Sequence, residues 1–422
     1  MSQTQFLSLA RGPVGVWPQP ARIAESNFVH KSLSNWSFNI AVGCSHGCRF
    51  CYVPATSRGR MQSTMSDYGV ADGDADWGNY LLLRRFDRDI FLHSLAAAEY
   101  TDVKQLDRGG NRAVIYCSTT DPYQTIRLAG DPTRQKELHV EARSMVRESL
   151  ELIRDYSTLN VRILTRSPMA AADFDLFKSF GPRLMFGMSL PTLNDRLAQI
   201  YEPHAPSPSA RLRCLQHAAD YGLNLFVAVA PMYPEIGRDD LARTLEALAF
   251  QNGRDVVHNV PDRSGVEARE GAEAREGASL NASQGRWVQR PSQPLTIFAE
   301  PINIRAENVA RIAAHARTLG LKMRVDVFEN RRVWEDYALG QLHLAEAIAG
   351  ELGLASRLHL WPDHALGSRY TAERQPDPKE HEKWIHKWWK RRSEWPEVPE
   401  TRRGEAATET QTSTKDVDDN NQ

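Results

Sequence analysis

The sequence predicts an α/β fold built on one parallel sheet wound as a partial barrel, with an N-terminal arm and a C-terminal helical extension. Two observations carry that expectation. From residue 112 onward, short apolar β-branched runs alternate with amphipathic stretches of helical length, which is the signature of βαβ units. In addition, a cysteine-rich loop and several polar turns directly follow apolar runs, the place where barrels carry their chemistry.

Residues 1–35 are polar, carry Pro13, Pro18 and Pro20 without a sustained period, and are expected to form an arm laid over the core. Residues 38–42 predict a short strand leading into the cysteine loop. Residues 56–76, rich in Ser, Gly and Asp, predict irregular chain, followed by a strand at 80–84 and a helix at 89–100. Further strands are expected at 112–117, 161–165, 183–190, 223–230, 295–299 and 323–328. The helices that follow them fall at 133–156, 170–180, 207–221, 238–250, 307–319 and 333–352. With the strand before the cysteines this makes about seven strands, in a barrel placed over residues 36–370. Residues 253–294 interrupt the pattern with a hexad from Val266 and its near-duplicate from Ala272; this stretch has too little apolar content for a core and reads as an exposed insertion. Residues 371–398 contain a basic, tryptophan-bearing helix, and 399–422 are polar and expected to be disordered.

Length and composition bound the function. A chain of 422 residues exceeds the usual single core but suits one barrel domain with extensions. The net charge of −1 gives no bulk attraction to nucleic acid or to an anionic membrane, while leaving a local basic groove possible. The sequence has no apolar run of about 18 residues and no charged start followed by an apolar stretch, so neither a membrane span nor a secretory leader is expected. The expected compartment is the cytoplasm, where thiols stay reduced.

The chemistry centres on Cys44-Ser45-His46-Gly47-Cys48-Arg49-Phe50-Cys51, followed by Tyr52. Three thiols within eight residues need a loop wrapped around something, and iron–sulfur clusters are held by thiolates spaced this closely. Three cysteines on a cluster of four irons leave one iron open to a small molecule. A structural zinc site is one alternative, but it would want a second ligand pair, and His46 lies inside the loop. Disulfides fit poorly with an odd count of three. Ordinary buried thiols are the remaining alternative.

These residues resemble the radical S-adenosylmethionine (radical SAM) superfamily, whose motif is three cysteines at this spacing with an aromatic, here Phe50, before the third. The wider stretch from Ser37-Phe38-Asn39-Ile40 to Cys51-Tyr52 is similar to the spore photoproduct lyase-related, DNA repair photolyase-like branch. That branch continues Tyr-Ala-Arg after the third cysteine, where this chain has Tyr52-Val53-Pro54. The resemblance implies an open partial barrel of the (β/α)6 type and a [4Fe–4S] cluster held by Cys44, Cys48 and Cys51. It also implies that S-adenosylmethionine (SAM) chelates the fourth iron, with Phe50 against its adenine. The implied activity is lyase-like or modifying. One electron from an external reductant of flavodoxin or ferredoxin type cleaves SAM to methionine and a 5′-deoxyadenosyl radical, which abstracts hydrogen from a substrate.

The segment Cys117-Ser118-Thr119-Thr120-Asp121-Pro122-Tyr123-Gln124 ends the second core strand. Its hydroxyls and carboxylate suit a cofactor's ribose or amine, and equally suit capping of the next helix. Thr-Asp-Pro-Tyr-Gln is a hallmark of the branch, standing where many radical SAM enzymes keep Gly-Gly-Glu. The resemblance therefore implies SAM contacts from Ser118, Thr120 and Asp121, and from Arg166 and Ser189 at the next two strand ends. Arg166 replaces a lysine of that group and offers a planar fork to a carboxylate. Arg196 and Glu202, in the branch pattern Asp195-Arg196 … Tyr201-Glu202-Pro203 … Arg211, are expected to pair, either beside the cofactor or as a structural ion pair. Glu300-Pro301-Ile302-Asn303 matches another polar turn of the family. Spore photoproduct lyases use a cysteine near the second strand end as hydrogen donor; Cys117 is the candidate, one residue farther from Asp121 than in that group, and a packed core thiol is the alternative. Cys214 reads as structural.

In the helix over residues 379–395, Trp384, Ile385, Trp388 and Trp389 share one side, accompanied by Lys383, Lys387, Lys390, Arg391 and Arg392. Such a helix can grip single-stranded nucleic acid by stacking and phosphate contact. The preferred expectation is that its tryptophan face docks on the barrel with the charges in water. The branch implies a damaged or modified nucleic acid as substrate and partner. A protein, peptide or small metabolite is the second class, and a non-enzymatic iron–sulfur electron carrier the third.

Overall fold

The computed structural model describes residues 7–9, 12–26, 34–57, 61–106, 112–126, 131–249, 295–304 and 307–392. The strands are β1 (Leu7–Leu9), β2 (Gly12–Trp17), β3 (Ile23–Glu25), β4 (Trp36–Phe38), β5 (Ala41–Gly43), β6 (Leu81–Arg84), β7 (Ala113–Tyr116), β8 (Asn160–Thr165), β9 (Leu184–Ser189), β10 (Asn224–Met232), β11 (Thr296–Pro301) and β12 (Leu358–Leu360). The first helices are α1 (Val53–Ser57), α2 (Gln62–Ser66), α3 (Arg88–Glu99), α4 (Pro132–Tyr156), α5 (Phe174–Ser179) and α6 (Asp195–Tyr201). They are followed by α7 (Pro208–Asp220), α8 (Arg238–Ala247), α9 (Asn308–Thr318), α10 (Arg331–Glu351), α11 (Arg369–Ala372) and α12 (Pro378–Arg392).

Among the described residues the main sheet has eight strands in the order β12-β11-β10-β9-β8-β7-β4-β3. Every neighbouring pair is parallel except β3 with β4, and the two ends do not meet, so the barrel is open. Period-2 alternation sorts its side chains. Ile115, Met185, Phe226, Phe298 and Trp361 fill the inside, while Val114, Phe186, Val227 and Ile297 join the larger cluster under the helices. Gly187 leaves room for this filling, since a Cβ there would lie 2.4 Å from the Phe226 ring. Local signals set the helix starts: Asp131 caps α4 with Pro132 behind it, Ser207 caps α7 with Pro208, and Asn194 and Asn330 cap α6 and α10.

Five expectations differ. The strand at 38–42 is two strands: β4 lies in the barrel, and β5 in a four-stranded sheet ordered β1-β2-β6-β5. The bend between them re-aims the chain into the cysteine loop. Within residues 1–35 the chain also forms strands, β2 beside β6 and β3 on the barrel edge, because backbone pairing satisfies polar groups there without a periodic apolar face. Residues 323–328 form no strand; Val325–Phe328 is a 3₁₀ turn, and the last barrel strand is β12, after α10. The helix at 170–180 starts as 3₁₀ over Pro168–Asp173 and becomes α5. A short helix, α2, also stands within the stretch expected to be irregular. The insertion at 253–294 and the tail at 399–422 lie outside the described residues.

Helix α12 docks by its tryptophan face. Ile385 and Trp388 are buried, Trp384 Nε1 donates to Glu346 Oε2 at 2.5 Å, and Trp389 Nε1 donates to the Pro362 carbonyl at 3.1 Å. Lys387 pairs with Glu346, Lys383 with Glu380, and Arg391 donates to the Ser356 carbonyl. The rings that nucleic-acid stacking would need are therefore engaged with the barrel. Trp388→Ala should lower the unfolding free energy by about 3–5 kcal/mol, the range for emptying a buried aromatic site. The exposed Lys379→Ala should change it by less than about 0.5 kcal/mol. Urea denaturation distinguishes the two, and a Trp388→Ala protein as stable as wild type would refute the docking.

Candidate active site

The cysteine loop leaves β5 and crosses the ends of the barrel strands. A loop that buries its thiols must also find partners for its backbone. The turn after β7 supplies several. Thr120 Oγ1 donates to the Gly43 carbonyl at 2.6 Å, and the Ser45 amide donates to Gln124 Oε1 at 2.7 Å. Asp121 Oδ2 lies 3.5 Å from His46 Nδ1. On the far side, the Arg49 amide donates to the Tyr201 carbonyl at 2.8 Å. Arg311 of α9 donates through Nε to the Arg49 carbonyl at 3.2 Å and through Nη2 to the Cys51 carbonyl at 2.5 Å, and it also pairs with Asp74. Asn308 Nδ2 reaches the Phe50 carbonyl, and Tyr52 donates its hydroxyl to the Ser118 carbonyl at 2.6 Å. The loop passes Gly78 so closely that a Cβ on either Gly47 or Gly78 would meet the other's Cα within 3.0 Å.

Cys44 and Cys48 are buried, Cys51 is partly buried, and all three are free thiols. Burial raises all three thiol pKa values, that of Cys48 to about 12. Each of the first two is raised further by the charge of neighbouring cysteines, so the three lie within electrostatic reach of one another. Among the described residues no three His, Cys, Asp or Glu side chains gather around a single ion. Thiolates of a polynuclear cluster each bind a different iron, so this donor set suits iron–sulfur ligation. Protons must leave as metal binds. His46 is buried, its pKa lowered to about 4 by burial, and its Nε2 has no hydrogen-bond partner among the described residues.

Thr120 and Asp121 are braces of the cysteine loop. Asp121 Oδ1 accepts from Thr165 Oγ1 at 2.7 Å and from the Tyr123 amide at 2.9 Å, while Oδ2 accepts from the Arg166 amide at 2.8 Å. Ser118 accepts from Asn39 Nδ2 at 3.2 Å, and Ser189, fully buried, donates to the Ala230 carbonyl at 3.2 Å. Phe50 packs against Tyr233, ring centroids 5.7 Å apart, with the Arg166 guanidinium 5.5 Å from its own centroid. Arg196 is exposed on α6 and is not the partner of Glu202. Glu202 instead lies between Arg166 Nε at 2.7 Å and Arg211 Nη2 at 2.5 Å. Arg211 is long enough to reach from α7 to the Ser189 carbonyl at 3.0 Å as well. Cys117 is buried, adopts φ +59°, and its thiol is pushed up by burial.

Comparison with known proteins agrees with this geometry. The Radical SAM superfamily model matches residues 38–248, half of the chain. The uncharacterized protein ORF301 of Acidianus two-tailed virus is 30% identical over 239 residues, 56% of this chain and 69% of that one. The uncharacterized protein MJ0683 of Methanocaldococcus jannaschii is 21% identical over 203 residues, 48% of this chain and 62% of that one. Among solved structures, a spore photoproduct lyase mutant with dinucleoside spore photoproduct superposes with a TM-score of 0.51 at 13% identity, covering 82% of this chain and 80% of that one. A second mutant of that lyase gives 0.50 at 12% identity over the same shares. At such identity the likeness is one of fold.

Glu202 gives this site a pH signature. Burial raises its pKa, but Arg211 and then Arg166 outweigh burial and hold the carboxyl below its usual range. Its folded pKa is depressed, so its contribution is present above the unfolded value near 4.3 and is lost as pH falls through the folded one. At neutral pH Glu202→Gln should cost about 3–5 kcal/mol, as removal of one partner of a buried ion pair does. The gap to wild type should hold down to about pH 5 and close in stronger acid. Urea unfolding across that range measures it; a gap unchanged in strong acid would mean that packing, not charge, sets the effect.

Proposed function

The chain belongs to the radical SAM superfamily, and on that premise we propose that Cys44, Cys48 and Cys51 hold a [4Fe–4S] cluster at which SAM binds, for hydrogen abstraction from a damaged or modified nucleic acid. The observation that carries this reading is the cysteine loop itself, three free thiols pinned across the strand ends by groups from the turn after β7, from α6 and from α9. When bound, the cluster and SAM supply a 5′-deoxyadenosyl radical, with the electron drawn from a reductant of flavodoxin or ferredoxin type.

The protein's own residues bind, orient and exclude water. Phe50 offers a ring for the adenine, and Arg166, whose cation is kept charged by Cys48 and Glu202 against the pull of burial, offers its fork to the methionyl carboxylate. Glu202 and Arg211 fix Arg166 in place. Ser118, Thr120, Asp121 and Ser189 shape the strand ends, the braces acting on SAM through the loop they hold. Cys117 is the candidate hydrogen donor, because a donor must keep its S–H and burial keeps this thiol protonated. Nucleic acid as substrate is supported by the fold shared with a lyase solved with a dinucleoside photoproduct.

Replacing any of the three cysteines by Ala should abolish the brown absorbance, iron and sulfide content, and 5′-deoxyadenosine formation of anaerobically reconstituted protein. A triple variant retaining full iron would refute the ligand assignment. Arg166→Ala should weaken SAM binding by about 1.5–3 kcal/mol, the loss of a charge-assisted contact, read by calorimetry on reconstituted protein. Unchanged affinity would remove Arg166 from the SAM site. Stimulation of 5′-deoxyadenosine formation by a lesion-bearing oligonucleotide, and not by peptides or metabolites, is the result expected for the substrate.

A further inference from the structure

A cavity of about 500 Å³ lies between the N-terminal strands and β6, lined by Gln19, Pro20, Arg22, Asn39, Arg84 and Ile90 among others. Among the described residues no carboxylate lines it. Neither Arg22 nor Arg84 makes an ion pair among the described residues, and Arg84 spends one N–H on the Gln19 carbonyl at 3.2 Å. Burial, and then the positive charge of Arg22 beside it, pull the Arg84 pKa down to about 10. Two guanidiniums thus line one open cavity, close enough for the charge of one to act on the other. Its other wall is apolar, with Pro20 half-buried and Ile90 41% exposed.

The cavity also adjoins the strand ends of the candidate active site. Asn39 lines it and turns its amide the other way, Nδ2 to Ser118 Oγ at 3.2 Å and Oδ1 accepting from the Thr119 amide at 2.9 Å. The Ser118 carbonyl accepts from Tyr52, the residue after the third cysteine. A ligand held here is thus separated from the cysteine loop by Asn39, Ser118 and Tyr52.

We propose that Arg22 and Arg84 seat a phosphate ester of the substrate, its neighbouring sugar or base lying on Pro20 and Ile90 and within reach of the Gln19 side chain. Paired planar forks suit phosphate oxygens, and a cavity of this size suits one nucleotide unit. The inference rests on the strand ends being the reaction site, and not on the substrate being a polymer. The phosphate can belong to a nucleic-acid backbone or to a small phosphorylated molecule, and the test separates these.

The full-length protein, Arg22→Gln/Arg84→Gln and a Lys379→Gln control would be titrated with a labelled short oligothymidylate at several salt concentrations. Thymidine 5′-monophosphate and thymidine would be titrated in parallel by calorimetry. The expected result is oligonucleotide binding weakened on the order of tenfold or more in the double variant. The salt slope should fall by roughly 0.7, the value for one phosphate contact on a single strand. The monophosphate should compete and thymidine should not. Monophosphate binding that the variant loses, with no oligonucleotide binding by wild type, would support the phosphate seat and remove nucleic acid as the substrate. Equal oligonucleotide binding by wild type and variant would overturn the seat and leave nucleic acid standing. No binding of either ligand to wild type would overturn both. Should the double variant fail to fold, Arg22→Glu at the exposed position reads the same effect: weakened binding supports the seat, unchanged binding overturns it.

Discussion

The Asp121 carboxylate is the contact on which the rest of the site depends. It is buried, and its two oxygens accept from the Tyr123 amide, the Thr165 hydroxyl and the Arg166 amide, while His46 of the cysteine loop lies against it. One side chain thus ties the turn after β7, the end of β8 and the loop between β5 and α1 into a single body. Buried carboxylates persist where such donors replace water. The flanking residues complete the tie, Thr120 holding the Gly43 carbonyl and Gln124 the Ser45 amide. The Thr-Asp-Pro-Tyr-Gln turn is therefore a clamp on the cysteine loop before it is anything else.

A second layer of charge sits beside that clamp. Glu202 between Arg166 and Arg211 is a buried triad whose desolvation is offset by short contacts and by Arg211 donations to the Pro206 and Ser189 carbonyls. Apolar residues of similar volume would pack such a space at no loss of stability. What they would not do is fix a guanidinium against the Phe50 ring, at the rim of the cysteine loop. The triad therefore holds a cation in a set position beside that ring, the position that the proposed cofactor carboxylate would require.

The sequence made the repetitive parts of this architecture legible. Strands β7 to β11 and their helices were marked by period, and the loop by three cysteines at short spacing. What was hidden depends on contacts distant along the chain. Arg311 grips Cys51 across 260 positions, and nothing local distinguishes it from any other helical arginine. The sequence paired Glu202 with Arg196, the nearer arginine; the fold instead places Arg196 outward and Arg211 inward, and a one-dimensional pattern does not carry that. Strand β12 was missed because three residues carry no periodicity, whereas the apolar run at 323–328 looked like a strand and folded as a turn. In α12 the tryptophan face was visible, and only tertiary contacts show that it is occupied.

Cys117 is where local and functional demands part. With φ +59° it adopts the left-handed conformation that glycine takes at least cost and that side-chain-bearing residues rarely occupy. The turn requires this conformation: Cys117 donates its amide to the Phe38 carbonyl at 2.7 Å, and its own carbonyl accepts from Thr120 at the start of the clamp. Glycine would satisfy that backbone as well. A thiol kept there, buried beside Ile40 and protonated, costs on the order of 1–2 kcal/mol in backbone strain, held in place by the contacts on either side of it. Glycine would relieve that strain and would remove the thiol, so the backbone and the proposed hydrogen-donor role ask for different residues at this strand end.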